Sequence, residues 1–124
     1  RAEFGKAYRF YRKTIRKSPS DFEAIMQAGN SARRINRDKK AEQMFRRAER
    51  LRPDSWIPTY NLACLEASRD SPEKALELLR QSLGKGFARE EILEKDPDLT
   101  AVRQLAGYPA LLAELRALPP RHGE

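Results

Sequence analysis

The feature that most constrains this chain is an interval. Ala41, Phe45 and Ala48 fall four and three residues apart, on one stripe of a helix, and Pro53 stops that helix soon after. Shifting the sequence against itself by 34 residues brings Ala7, Tyr11, Thr14 and Pro19 under this set, with Ala75, Leu79 and Ser82 on the other side. Ile25, Ala28, Gly29 and Ala32 precede the second copy, and Thr59, Leu62, Ala63 and Glu66 precede the third. Each full copy is therefore a pair of helices that buries its apolar face by stacking on its neighbour. The small residues have a physical task. Gly29 against Ala41, and Ala63 against Ala75, let paired helices approach closely, while Phe45 and Leu79 fill the space between repeats.

A period of 34 with a small-large-small stripe and a terminal proline resembles the tetratricopeptide repeat. The resemblance implies an all-α fold: a helix-turn-helix solenoid, wound as a right-handed superhelix, of about two and a half repeats plus C-terminal capping helices. Residues 1–21 supply the second helix of a truncated repeat, 22–55 a complete repeat and 56–87 a complete but divergent one. Residues 88–118 form the cap and 119–124 a frayed tail. In the third copy Phe87 stands where the proline should fall, after Gly84-Lys85-Gly86, so that helix is expected to end at a glycine cap. The first copy lacks its leading helix. Its stripe Phe4, Tyr8, Tyr11 and Ile15 is expected to be partly uncovered, to be met by repeats further upstream or by a dimer contact. The remaining sequence reads as three short helices with breaks near Asp96-Pro97 and Gly107-Tyr108-Pro109. Asp96 to Leu99, Val102-Arg103, Pro109 and Leu111-Leu112 are similar to the tail that closes bacterial tetratricopeptide arrays, which implies a bacterial source and a polar cap.

Length and composition bound the chemistry. At 124 residues the chain is long enough for one domain with a small core. With 40% apolar and 35% charged residues it suits a helical protein rather than a disordered one. It contains no apolar run of about 18 residues and no apolar secretory stretch at its start. It opens at Arg1 without a methionine, as a piece of a longer protein would; the cytoplasm is the expected compartment, or the periplasm if a signal has been removed. The single Cys64 can form no internal disulfide and, set among Leu62, Ala63 and Leu65, reads as a small buried hydrophobe. One histidine, His122, allows neither a catalytic triad nor a two-histidine metal motif. Gly84-Lys85-Gly86 lacks the spacing of a phosphate-binding loop. Glu90, Glu91, Glu94, Asp96 and Asp98 lack that of a calcium loop, and are expected to form a solvated surface and a helix start. No catalytic residue, metal or cofactor is expected, although an accessory domain of a larger enzyme stays open as a role.

Two binding surfaces remain. The tetratricopeptide resemblance implies a concave face, formed by the first helices, that holds extended peptides. Its groove positions correspond to Met26, Asn30, Arg33 and Arg34 in the second copy and Ile57, Tyr60, Asn61 and Cys64 in the third. In chaperone-binding members, asparagines of two consecutive first helices hold the peptide backbone or its terminal carboxylate; Asn30 and Asn61 take those places, and Met26 replaces the lysine of the clamp. Amides suit the task because each donates and accepts. Arg33 and Arg34 favour an acidic partner if they lean inward. Tyr60 is a candidate aromatic anchor, and Trp56 is expected to pack between helices. The second surface follows from charge. The chain carries +7, and residues 1–52 hold 16 basic against 6 acidic side chains, whereas 53–124 hold 9 against 12. Lys6, Lys40 and Lys74 share one repeat position, and Arg12, Arg46 and Arg80 another, so a basic ridge is expected on the outer surface of the second helices. Such a ridge serves either as an ordinary solvated face or as a contact for nucleic acid or an anionic membrane surface.

Overall fold

The computed structural model describes residues 2–119, all α-helical with no strand among them. Arg1 and residues 120–124, which include His122 and most of the expected frayed tail, lie outside the described residues. Five longer helices come first: α1 (Ala2–Lys17), α2 (Phe22–Arg34), α3 (Asp38–Leu51), α4 (Trp56–Ser68) and α5 (Pro72–Gly84). A capping segment follows, with α6 (Glu90–Lys95), a 3-10 turn over Pro97–Leu99, α7 (Thr100–Arg103) and α8 (Tyr108–Arg116). Each of the first four helices packs on the next in sequence, giving an all-α, repeat-like stack of consecutive helix pairs.

The helix ends keep the 34-residue period. Helix α2 begins with Asp21, whose carboxylate accepts from the Ala24 amide at 3.0 Å; α4 begins with Ser55, whose hydroxyl accepts from Ile57 at 3.3 Å. Helix α2 ends with Asn36 in the left-handed region at φ 62°, and Arg37 N–H reaching back to Ala32 C=O. The same arrangement closes α4 at Asp70, φ 58°, where Ser71 N–H bonds to Glu66 C=O. These are Schellman ends, and asparagine and aspartate tolerate the left-handed residue better than other side chains that carry a Cβ. Gly86, φ 111°, does the same after α5, with Phe87 N–H on Ser82 C=O, in agreement with the glycine stop expected there.

The core runs down the helix seams. Ala41, Phe45, Ala48, Ala75, Leu79 and Ser82, the stripes of α3 and α5, are fully buried. Gly29 serves a neighbour different from the one its spacing suggested. A Cβ on it would stand 2.5 Å from Phe45 Cε1 and 2.8 Å from Cδ1, so the glycine makes room for the ring of its own repeat rather than for Ala41. The first helix meets the expectation of a partly uncovered stripe: Tyr8 and Ile15 are buried on the side α1 turns to α2, whereas Phe4 is 39% exposed and Tyr11 only half-buried. The more open face carries Ala7, Phe10 and Thr14, with Phe10 62% exposed.

The cap folds back over the end of the stack. Leu93, Leu99, Val102 and Leu111 are fully buried, α7 and α8 lie on α5, and the 3-10 turn lies against α4. Arg103 fastens the fold-back by donating to Leu93 C=O at 2.9 Å.

Candidate functional site

Helices α2 and α4 present neighbouring faces, and the cap approaches them from one side. Between them lies a groove of about 350 Å³ lined by Phe4, Gln27, Asn30, Ser31, Arg33, Arg34, Tyr60, Asn61, Cys64, Asp96 and Asp98. Six of the eight groove residues expected from the sequence meet here: Asn30, Arg33, Arg34, Tyr60, Asn61 and Cys64. Two do not. Met26 is 4% exposed and belongs to the core, because it sits on the side of α2 that is packed against neighbouring helices. Ile57 lies 42% exposed in the first turn of α4, outside the groove lining.

The two asparagines do not occupy equivalent rungs. The 34-residue period sets Cys64 opposite Asn30 and Gln27 opposite Asn61, so the amides stand about one helical turn apart along the pair of helices. Both are half-buried, and neither makes a side-chain hydrogen bond to another described residue. Gln27, by contrast, donates to Glu23 at 2.8 Å.

The acidic cluster corrects the sequence reading in part. Glu91 and Glu94 are exposed as expected, whereas the fold-back carries the half-buried Asp96 and Asp98 to the wall of the groove. Asp96 receives the Tyr60 hydroxyl hydrogen bond, lies 3.9 Å from Cys64 Sγ, and caps the 3-10 turn by accepting from Asp98 N–H at 3.0 Å. Asp98 pairs with Arg33, Nη2 to Oδ2, at 2.8 Å. Glu90 is held by Arg116 at 2.8 Å on the outside of the cap. Tyr60, expected as an aromatic anchor, is thus engaged at its hydroxyl and only 8% exposed, with its ring against Trp56 and Phe87. Burial, with the Cys64 and Asp96 neighbours, raises the Tyr60 phenol far above its ordinary value. Burial also pushes the Cys64 thiol up to about 12, with Asp96 adding to it, so the thiol stays protonated and unreactive.

The donor atoms of Cys64, Asp96 and Asp98 lie within 4.8 Å of one another. They do not suit a metal ion: Asp98 is already paired with a guanidinium, whose positive charge opposes a second cation, and the thiol resists ionisation. The polar groups left for a ligand are the Asn30 and Asn61 amides and Arg34, whose guanidinium stands 5.6 Å from the centre of the Phe4 ring.

A larger hollow of about 710 Å³ lies elsewhere, between Trp56 and the Gly86–Ile92 segment. Its Glu90 is committed to Arg116, and the other charged side chains that line it, Arg89 and Glu91, are exposed.

The basic ridge is discontinuous. Lys6, Arg12, Lys40 and Lys74 are exposed, as their repeat positions suggested. Arg46 pairs with Glu49 at 3.2 Å, and Arg80 pairs with Glu77 at 3.1 Å and Glu114 at 3.2 Å. One polar link went unforeseen in the sequence: Thr59 donates to Glu49 at 3.1 Å, and Lys85 donates to Thr59 at 2.8 Å and lies 3.4 Å from Glu49. It ties α3, α4 and the end of α5 together. No described helix is long and apolar enough to cross a membrane. No family model matches the chain, and no curated protein matches it.

Proposed function

We propose that this chain is a tetratricopeptide-type interaction module that binds an extended protein segment in the groove between α2 and α4, without catalysis, as an adaptor. The observation that carries this reading is the pair of half-buried, unengaged amides, Asn30 and Asn61, on consecutive first helices. An amide held half out of water gains most from a ligand that offers both a donor and an acceptor, as a peptide backbone does. Asp98 neutralises Arg33, so an acidic side chain in the ligand is best placed near Arg34. The ridge is the weaker binding surface, because its central Arg46 and terminal Arg80 are already paired with carboxylates.

The test is selection of binders from a random peptide library, followed by calorimetry of the best peptide. An Asn30→Ala, Asn61→Ala variant is expected to lose at least about tenfold in affinity, while Lys40→Glu with Lys74→Glu changes it by less than about threefold. Binding that ignores the asparagines, yet falls steeply with salt and with the lysine changes, would overturn the groove in favour of the ridge.

A further inference from the structure

The repeat supplies its own control for helix α1. Positions 7, 11 and 14 correspond to 41, 45 and 48 and to 75, 79 and 82; the six later residues are fully buried, whereas Ala7, Tyr11 and Thr14 remain half-exposed. What covers the later stripes is the helix that precedes each in its pair: α2 on α3, with Gly29 admitting the Phe45 ring, and α4 on α5. Among the described residues α1 packs on the helix that follows it and has no preceding one. Phe10 extends the open stripe, 62% exposed, with its ring edge-on to Tyr11 at 5.2 Å.

Charge identifies the occupant. Lys6, Lys13 and Lys17 lie four residues before Phe10 and three and seven after it, a second stripe along the border of the open face. The whole helix carries six basic side chains against Glu3 alone. A second copy laid face to face would bring one row of lysines onto another and lose on like-charge repulsion what it gained in apolar burial. We propose that the open face of α1 docks an amphipathic helix of a separate partner protein, with small residues over Tyr11 and glutamate or aspartate along its flank. The incoming helix takes the place that α2 takes on α3. This surface is separate from the groove between α2 and α4, so the two proposals stand or fall independently.

The probe is a synthetic helical peptide that repeats the stripe of Ile25, Ala28, Gly29 and Ala32 in its spacing, with glutamates at the flanking positions. Its twin carries lysines there. Fluorescence anisotropy is expected to show the glutamate peptide binding at least about tenfold more tightly than the lysine twin. Phe10→Ser and Lys13→Glu, both at exposed positions, are each expected to weaken it by about tenfold or more, while Asn30→Ala with Asn61→Ala leaves it unchanged. Circular dichroism of each variant confirms that the helices persist. Equal affinity for the two peptides, no binding of either, or no response to Phe10→Ser and Lys13→Glu overturns the proposal. Sedimentation showing a dimer that Phe10→Ser dissociates also overturns it, by making a second copy the occupant.

Discussion

Gly29→Ala tests how α2, one wall of the groove, is held against α3. Alanine in place of glycine within an exposed helix stabilises by about 1 kcal/mol, through helix propensity alone. Here the new Cβ would stand 2.5 and 2.8 Å from two carbons of a fully buried Phe45 ring. Ordinary carbon contacts lie near 3.5 to 4.0 Å, so the ring or the helix must shift by about 1 Å, and overpacking of this kind costs about 1–3 kcal/mol. The shift required lies toward the larger end of that range, so the net expectation is a loss of about 1–2 kcal/mol. Shortening the ring by Phe45→Leu removes the obstacle. In that background Gly29→Ala is expected to become neutral or to stabilise by up to about 1 kcal/mol, giving a coupling of about 2 kcal/mol between the two sites. Urea titration followed by helical circular dichroism reads all four proteins. With an m-value of about 1.5 kcal/mol/M, the single variant should unfold about 1 M earlier. A Gly29→Ala variant as stable as the parent, or an effect that is the same in both backgrounds, would refute steric room as the reason for glycine at 29.

Other consequences are as direct. At Glu49 burial raises the carboxyl pKa, but hydrogen bonds from Arg46, Thr59 and Lys85 outweigh it and leave the group below its ordinary value. Stability from Glu49 should therefore be present above about pH 4.5 and disappear as the pH falls through the lowered value; Glu49→Gln should flatten that part of the acid-unfolding curve and cost about 1–2 kcal/mol at pH 7. Asp98→Asn frees Arg33, so it should cost about 1 kcal/mol or less in urea unfolding, yet tighten an acidic groove peptide by about threefold or more, a combination a purely structural ion pair would not produce. Buried, and with its thiol pushed up to about 12, Cys64 should react with a disulfide reagent at pH 8 at least about tenfold more slowly in the folded protein than in urea. A native rate near the unfolded one would place the thiol in water.

The helix pairs were legible because each stripe speaks for itself: Ala41, Phe45 and Ala48 are neighbours on one helix, and the same pattern returns after 34 residues. The left-handed residues Asn36 and Asp70 obey the same period, and their identities were a readable signal, since asparagine and aspartate at a helix end often take that conformation. The groove was legible only in part. The groove positions that the tetratricopeptide resemblance implies include Asn30, Arg33 and Asn61, which do come together, but a resemblance does not say how deep a side chain sits, and so Met26 was misplaced. The cap was legible as short helices that close the stack, but not the course that carries Asp96 and Asp98 to the groove. Helices of six and four residues carry too few turns to display a face, and acidic residues in a short segment resemble a solvated surface. What turns Asp96 and Asp98 inward is the burial of Leu93, Leu99 and Val102 on either side of them, a tertiary effect that outweighs local charge. The outcome bears on function. By bringing its own carboxylates to Tyr60 and Arg33, the chain satisfies the strongest charged and phenolic groups of the groove and leaves the amides and Arg34 open. Under the function proposed above, a ligand there would be recognised mainly through its backbone, with charge entering at one edge, as an extended segment rather than a single anionic group requires.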